Sequence, residues 1–204
     1  MRHYAIFKIS PQSRRFCLPL LLSITLIANL IACNDSAQNQ QNRATAEKFI
    51  DAFYSYEPAP LLKILSNAQS SIPSVAYYQG WAEGGNYTII MRNDCKFEAS
   101  QKISCSITVK DDLMRALGIN FDVTDTFHLS FNNEVLIKVV NSSNDLQVFH
   151  DARDWVTKNR SKLIDKPCRG FFDGGPTPGN CVRAMVHGFA QFTQSKNFPD
   201  QYRD

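Results

Sequence analysis

The spacing of apolar residues changes twice along this chain of 204 residues, and that change restricts the fold more than any other feature. Between residues 45 and 83, apolar side chains recur every three or four positions, which predicts helices. From residue 87 to residue 140 they alternate with polar ones, which predicts antiparallel strands. Helical spacing then returns in residues 149–192. Helices placed before and after a run of consecutive strands predict an α+β fold.

Three helices are predicted before the strands. The first begins with Thr45 as its N-cap, the second follows Pro58, and the third covers residues 73–83. Each boundary has a local cause, because proline is favoured in a first helical turn and the glycine pair at 84–85 ends the third helix.

Four strands follow, the last of them entered through a hairpin at Asn132-Asn133. A short helix over residues 111–118 interrupts them, and the last helix begins at Asn180. The apolar residues expected on the core face of the first three strands are Tyr87, Ile89 and Met91; Ile103, Cys105, Ile107 and Val109; and Val123, Phe127, Leu129 and Phe131.

Residues 1–32 have the layout of a secretory signal peptide. An apolar run over residues 16–31 follows a basic start that contains no acidic residue. An ordinary signal peptidase needs small residues before its cut, and Leu30 does not meet that requirement. The basic residues of the start are Arg2, Lys8, Arg14 and Arg15.

The segment Leu30-Ile31-Ala32-Cys33 resembles the lipobox of bacterial lipoproteins. The resemblance implies that the Cys33 sulfur receives a diacylglycerol, because a thiolate can attack the lipid donor, and that the leader is then removed. Two or three acyl chains give a stable membrane anchor. The alternative is an uncleaved membrane helix over residues 16–33, near the lower length limit for a bilayer. Both alternatives place the later residues outside the cytoplasm, with the periplasmic side of a bacterial envelope expected.

Removal of the leader changes the charge balance. Four of the 22 Lys and Arg residues leave with it, so 18 remain against 19 Asp and Glu, a net charge of −1. The basic character of the whole chain comes from the leader, and nucleic-acid binding is not expected. Residues 33–44 are polar and predict a lipid-anchored flexible tether, whereas residues 45–204 predict a single domain.

Four cysteines lie within that domain. Their spacing favours a disulfide between Cys95 and Cys105 across two strands and a turn, and a second between Cys168 and Cys181. The second bridge would staple a C-terminal helical segment, residues 165–204. A zinc site made by all four thiolates is the alternative, although such sites usually contain close CxxC pairs. Disulfides would agree with an oxidising compartment.

Two segments, AYYQGWAEGGNYTI and VTDTFHLSF, together with the element order, resemble the SnoaL-like branch of the nuclear transport factor 2-like superfamily. The match extends over residues 45–164, with 165–204 as an appended segment. It implies helices packed in a curved antiparallel sheet that encloses a cone-shaped cavity. The superfamily includes ketosteroid isomerases, polyketide cyclases and limonene epoxide hydrolases, and also members that only bind partners, so the fold leaves the function open.

Asp125 is the most informative polar residue. It shares the parity of the apolar residues in its strand, so its carboxylate should point toward the core. Burial would raise its pKa, and it could then act as a general base on an apolar substrate. The alternative is a structural role, in which Asp125 accepts hydrogen bonds from a turn or a helix end. His128 has the opposite parity, which does not support a catalytic pair with Asp125.

Tyr77, Tyr78 and Trp81 form an aromatic group on the third helix. With Asp125 they make up the candidate pocket, since aromatic rings with a polar end suit the mouth of a ligand site. An ordinary core is the alternative. Phe171 and Phe172 would either be presented by the stapled loop to a partner or be buried.

The remaining histidines do not predict a metal site. His150 has one ligand-type neighbour at helical spacing, Asp154, and His187 has none, whereas a protein site needs three or four ligands. No cofactor is expected. His187 followed by Gly188 predicts close helix packing instead.

Two functions are compatible with these residues. The favoured one is a lipid-anchored envelope protein whose domain binds a small apolar ligand or another envelope protein without catalysis. The second is an isomerase, cyclase or hydrolase that uses Asp125 as its base. A structural or assembly role would require a large exposed apolar patch. The sequence leaves the oligomeric state and the choice of inner or outer membrane open.

Overall fold

A computed structural model describes residues 19–171 and 177–203, with side chains from residue 37 onward. The chain divides into two compact units, residues 1–37 and residues 38–204. The predicted leader start, the Cys33 side chain and Phe172 lie outside this description. Among the described residues, no helix combines the length and the apolar character that a membrane crossing needs.

The described residues form an α+β fold, as the change in apolar spacing predicts. The helices are α1 Pro19–Tyr54, α2 Pro58–Ile64, α3 Ile72–Gly84, α4 Asp112–Ala116, α5 Gln147–Asn159, α6 Ser161–Ile164 and α7 Gly179–Phe192. The strands are β1 Thr88–Arg92, β2 Lys96–Ala99, β3 Lys102–Lys110, β4 Val123–Asn132 and β5 Val135–Ser143. Short 3₁₀ turns at Leu65–Asn67, Gln69–Ser71 and Asp200–Tyr202 complete the described elements.

Helix α1 differs from the prediction at its beginning. Residues 34–44, expected as a tether, have helical backbone, and Thr45 is an interior residue whose hydroxyl donates to the Gln41 carbonyl at 3.0 Å. The physical reason is that residues 34–44 contain no glycine or proline, while Gln, Arg and Ala favour helix. Asn42 is fully buried, so the helix at this residue is packed within the unit of residues 38–204.

The sheet is antiparallel, and β3 and β4 lie at its centre. Strand β4 pairs with β3 on one side and β5 on the other, while β1 and β2 share the second edge of β3. The inward residues of β3 and β4 are all buried, which confirms the predicted core faces of these two strands. Burial alternates strictly in β4, whereas in β3 the outward Thr108 is buried as well. Asn133 has φ 54° in the tight turn between β4 and β5, which confirms the hairpin at Asn132-Asn133.

Strand β1 does not have the core face expected from Tyr87, Ile89 and Met91. All its residues are exposed, and the register shifts between Ile89 and Met91. This prediction is wrong because β1 is an edge strand, and the irregularity interrupts the two-residue alternation that would bury every second side chain.

Helix α1 packs its aromatic residues against the inner face of the sheet. The rings of Phe49 and Phe53 lie 5.4 and 4.7 Å from the ring of Phe127 on β4, and all three side chains are buried. Burial of such a side chain contributes about 1.5–3 kcal/mol. These rings therefore fix the end of α1 over the middle of β4.

Polar contacts attach α1 to the segment between β1 and β2. The Arg43 guanidinium donates to the Cys95 carbonyl at 2.7 and 2.9 Å, and the Glu47 carboxylate accepts from the Cys95 amide at 3.1 Å. Arg92 pairs with the same Glu47 at 2.7 Å. The backbone at Cys95 is thereby satisfied by side chains of the helix.

Both expected disulfides are present. Cys95 bonds to Cys105 on β3, and Cys168 bonds to Cys181 at the start of α7. The zinc alternative is excluded, because all four sulfurs are bonded in pairs. The two bridges indicate an oxidising, non-cytoplasmic location.

Helices α5 and α7 pack closely at a glycine. A Cβ atom placed on Gly188 would lie 2.5 and 2.6 Å from the two methyl carbons of Val156. The backbone of α7 can therefore approach α5 only where residue 188 lacks a side chain, as the His187-Gly188 pair predicts.

Substitution Gly188→Ala should lower the free energy of unfolding by about 1–3 kcal/mol, because the added methyl overpacks the contact with Val156. Chemical denaturation of the variant and wild type measures the change. His187→Ala, on the exposed side of the same helix, is the control and should stay within about 0.5 kcal/mol. Equal stability of Gly188→Ala and wild type would show that the helices separate without cost.

Candidate functional site

Asp125 lies on the inner face of the sheet, close to the start of β4. It stands opposite Ile107 of β3 and Ser143 of β5, and it is 7% exposed. The alternation of β4 therefore places a carboxylate among apolar side chains, as expected.

One hydrogen bond connects this carboxylate to the end of α1. The hydroxyl of Tyr54 donates to Oδ2 of Asp125 at 3.1 Å. The Tyr54 ring is positioned by edge contacts with Phe53, at 4.9 Å, and Phe127, at 6.3 Å. Burial and the charge of Asp125 raise the pKa of Tyr54, so its phenol keeps its proton and remains a donor.

Asp125 borders a cavity of about 100 Å³. Tyr77, Tyr78 and Trp81 line the same cavity, so the four residues of the candidate pocket do meet. Tyr77 and Tyr78 are half-buried, which places them between the interior and solvent. The other lining residues are Tyr87, Ser143, Asp145, Phe149, His150 and Arg153.

The aromatic wall is shared between the cavity and the core. The rings of Tyr77 and Tyr78 meet edge to face at 5.1 Å, and Trp81 packs on Phe149 of α5 at 5.8 Å. Phe171 is half-buried and lies 5.6 Å from Tyr77. The aromatic group therefore contributes both to the core and to the pocket. Trp81 is buried in the core, while Tyr77 and Tyr78 are half-buried at the opening of the cavity.

Burial raises the pKa of Asp125 from its ordinary value of 3.8 to about 7. The hydrogen bond from Tyr54 acts in the opposite direction, and the charges of Asp145 and Asp111 raise the pKa further. Loss of water outweighs the one hydrogen bond, because a buried carboxylate needs several donors to remain ionised. Asp125 therefore exists in both protonation states near neutral pH.

Asp145 is the second carboxylate of the cavity and has different neighbours. Burial raises its pKa, while the Ser143 hydroxyl and the charges of His150 and Arg153 lower it. The Arg153 side chain is 35% exposed and contacts Asp154 at 3.3 Å. The basic groups of α5 thus lower the pKa of Asp145.

Sequence reasoning did not assign seven residues to this site: Tyr54, Tyr87, Ser143, Asp145, Phe149, His150 and Arg153. The loop that holds Asp145 has no periodicity, and His150 and Arg153 belong to a helix assigned as core packing. The only available signal was the pair of aromatic residues Tyr54 and Tyr56 at the end of an apolar helix face, where a phenol can reach inward.

His128 lies on the opposite side of the sheet, as its parity predicts. Its Nδ1 is 2.8 Å from the Glu98 carboxylate, and its Nε2 is 3.3 Å from the Ser142 hydroxyl. It therefore shares no cavity with Asp125, and a pair of these two residues is excluded. Within residues 37–171 and 177–203, His, Cys, Asp and Glu do not form a group that could hold a metal ion.

Comparison with known proteins gives no match: no protein-family model, no curated protein and no solved structure is significantly similar to this chain. The chemistry of the site therefore follows from its own residues and their geometry.

Substitution Asp125→Asn should make the protein less sensitive to pH. The native state holds the Asp125 proton up to about pH 7, whereas the unfolded chain releases it near 3.8. The native state thus binds more protons between these values, and stability falls as pH rises through them. The variant lacks this loss.

The free energy of unfolding, measured at pH 5 and pH 8, should fall by about 2–3 kcal/mol more in wild type than in Asp125→Asn. Asp122→Asn, an exposed residue in the segment before β4, is the control and should follow wild type. Parallel pH profiles for wild type and Asp125→Asn would contradict a raised pKa at this carboxylate.

Proposed function

We propose that this protein is a lipid-anchored protein of a bacterial envelope, whose cavity binds a small ligand with an apolar surface and performs no catalysis. One observation carries the proposal: Tyr77, Tyr78, Trp81 and Asp125 converge on one cavity. Aromatic walls with a few polar groups are typical of ligand sites. The alternative partner, another envelope protein, has less support, because the cavity wall is concave and partly buried.

The proposal includes two features that rest on sequence resemblance. The first is the lipid on Cys33, supported by the two disulfides and the non-cytoplasmic location they indicate. The second is membership of the SnoaL-like branch of the nuclear transport factor 2-like superfamily, supported by helices that precede an antiparallel sheet and pack on its inner face. The cavity lies on that same face.

A second candidate function is an isomerase, cyclase or hydrolase that uses Asp125 as a general base. The observation in its favour is a buried carboxylate whose pKa is about 7, because a base is most effective when its pKa is near the working pH. Tyr54 would orient the carboxylate through its 3.1 Å hydrogen bond.

Native mass spectrometry of the purified full chain tests the binding function. We expect a copurified small molecule in wild type and its loss in Ser143→Phe, because Ser143 borders the cavity and a larger side chain would fill it. Ser142→Phe is the matched control, since this neighbour contacts His128 on the other side of the sheet. The proposal would be refuted if wild type carried no bound small molecule, or if Ser143→Phe carried the same bound molecule in the same amount as wild type.

The copurified molecule also separates the two candidate functions. An enzyme would convert it and would lose turnover, while keeping affinity, in Asp125→Asn. A binding protein would leave it unchanged in both forms. Turnover in wild type alone would therefore replace the binding function with the enzymatic one.

Substitution Cys33→Ser should abolish acylation, because the serine hydroxyl cannot replace the thiolate that attacks the lipid donor. Labelling of cells with radioactive palmitate and fractionation of membranes measure the effect. Cys17→Ser, within the leader, is the control and should remain labelled. Equal labelling of Cys33→Ser and wild type would place the lipid elsewhere or exclude it.

A further inference from the structure

The cavity combines a carboxylate with several phenol and indole rings. Tyr78 and Tyr87 line the same cavity as Asp125. Burial is the main reason that the pKa of both tyrosines is raised; Asp125 adds to it at Tyr87, and at Tyr78 it adds to it after Tyr77 and Asp145. Trp81 completes the wall. The faces of such rings attract cations, and tryptophan and tyrosine do so most strongly.

The charges of the cavity are unequally compensated. Asp145 has His150 and Arg153 as basic neighbours. Asp125 has the neutral phenol of Tyr54 as its hydrogen-bond partner, and among the described residues no basic side chain forms an ion pair with it. An ionised carboxylate that is 7% exposed is costly unless an opposite charge pairs with it. Because no side chain of the described residues supplies this opposite charge, a bound ligand could supply it.

We propose that the cavity binds a small organic ammonium ion, whose charge pairs with Asp125 and whose methyl or methylene groups lie against the rings of Tyr78, Tyr87 and Trp81. The inference rests on the proposed binding function and names its ligand class. A neutral apolar ligand would leave the charge unpaired whenever Asp125 is ionised. A metal ion would need further ligands beside Asp125, and within residues 37–171 and 177–203 no group of three or more His, Cys, Asp and Glu residues could hold one.

The size of the cavity fits this class. Its volume is about 100 Å³. A cavity of about 150 Å³ accommodates benzene, so about 100 Å³ suits a trimethylammonium group and little more. The rest of a larger molecule would extend past Tyr77 and Tyr78, which are half-buried at the opening.

Binding should depend on pH, because the ammonium ion pairs with the ionised form of Asp125. With a pKa of about 7, the ionised fraction rises about tenfold between pH 6 and pH 8, and the apparent affinity should rise by the same factor. The titratable and charged groups around Asp125 are Tyr54 at the end of α1, Tyr56 after it, Tyr77 and Tyr78 of α3, Tyr87 before β1, Asp111 before α4, Asp145 after β5, and His150 and Arg153 of α5.

Calorimetric titration of the purified full chain with choline, and with its uncharged isostere 3,3-dimethyl-1-butanol, tests the inference. At pH 8 we expect choline to bind at least tenfold more tightly than 3,3-dimethyl-1-butanol. At pH 6 choline should bind about tenfold more weakly than it does at pH 8. Asp125→Asn should remove the preference for choline, whereas the control Asp122→Asn should keep it. The comparison of the two probes on wild type needs no variant, so it holds even if Asp125→Asn does not fold.

The outcomes separate the two levels of the proposal. Equal binding of both probes would overturn the cationic class and leave the binding function in place. Binding of neither probe, with no copurified molecule, would overturn both. Sedimentation with phosphatidylcholine vesicles, compared with phosphatidylglycerol vesicles, identifies the source of the cation: selective sedimentation with the first supports a lipid headgroup, and binding of choline alone supports a free ammonium compound.

Discussion

The placement of one carboxylate on the apolar face of the sheet is the constraint on which the site depends. Asp125 lies between Ile107 and Ser143 in the sheet, and its described hydrogen bond comes from the phenol of Tyr54. Burial without a basic partner raises the pKa to about 7. The fold therefore holds a group that is half ionised at neutral pH, and the pairing of its charge can be coupled to a ligand.

The packing around this carboxylate is set by elements far apart in sequence. Phe49 and Phe53 place the end of α1, and so Tyr54, over β4. The contacts of Arg43 and Glu47 with Cys95 hold the same helix against the β1–β2 connection. These attachments keep the phenol within reach of the carboxylate.

The opposite wall depends on the helices that follow the sheet. Phe149 of α5 packs on Trp81 at 5.8 Å and on Phe189 of α7 at 5.4 Å. Gly188 allows α7 to approach α5, and the Cys168–Cys181 bridge ties the start of α7 to the preceding turn. The C-terminal segment thus supports the cavity wall, because Phe189 packs on the Phe149 ring that contacts Trp81.

The alternation in β3 and β4 was sufficient to predict the sheet, its buried face and the inward direction of Asp125, because side-chain direction in a strand follows from local geometry. Cysteine spacing was likewise sufficient for both disulfides. Local pattern misassigned residues 34–44 and β1, where a continuous helix and an edge position decided the structure. Asp145, His150 and Arg153 reach the cavity, and Tyr54 reaches Asp125, only through the packing of α1 and α5 on the sheet. Their convergence, and with it the balance of charges around Asp125, was decided by tertiary structure, because electrostatic energies depend on distances and burial that no single segment contains.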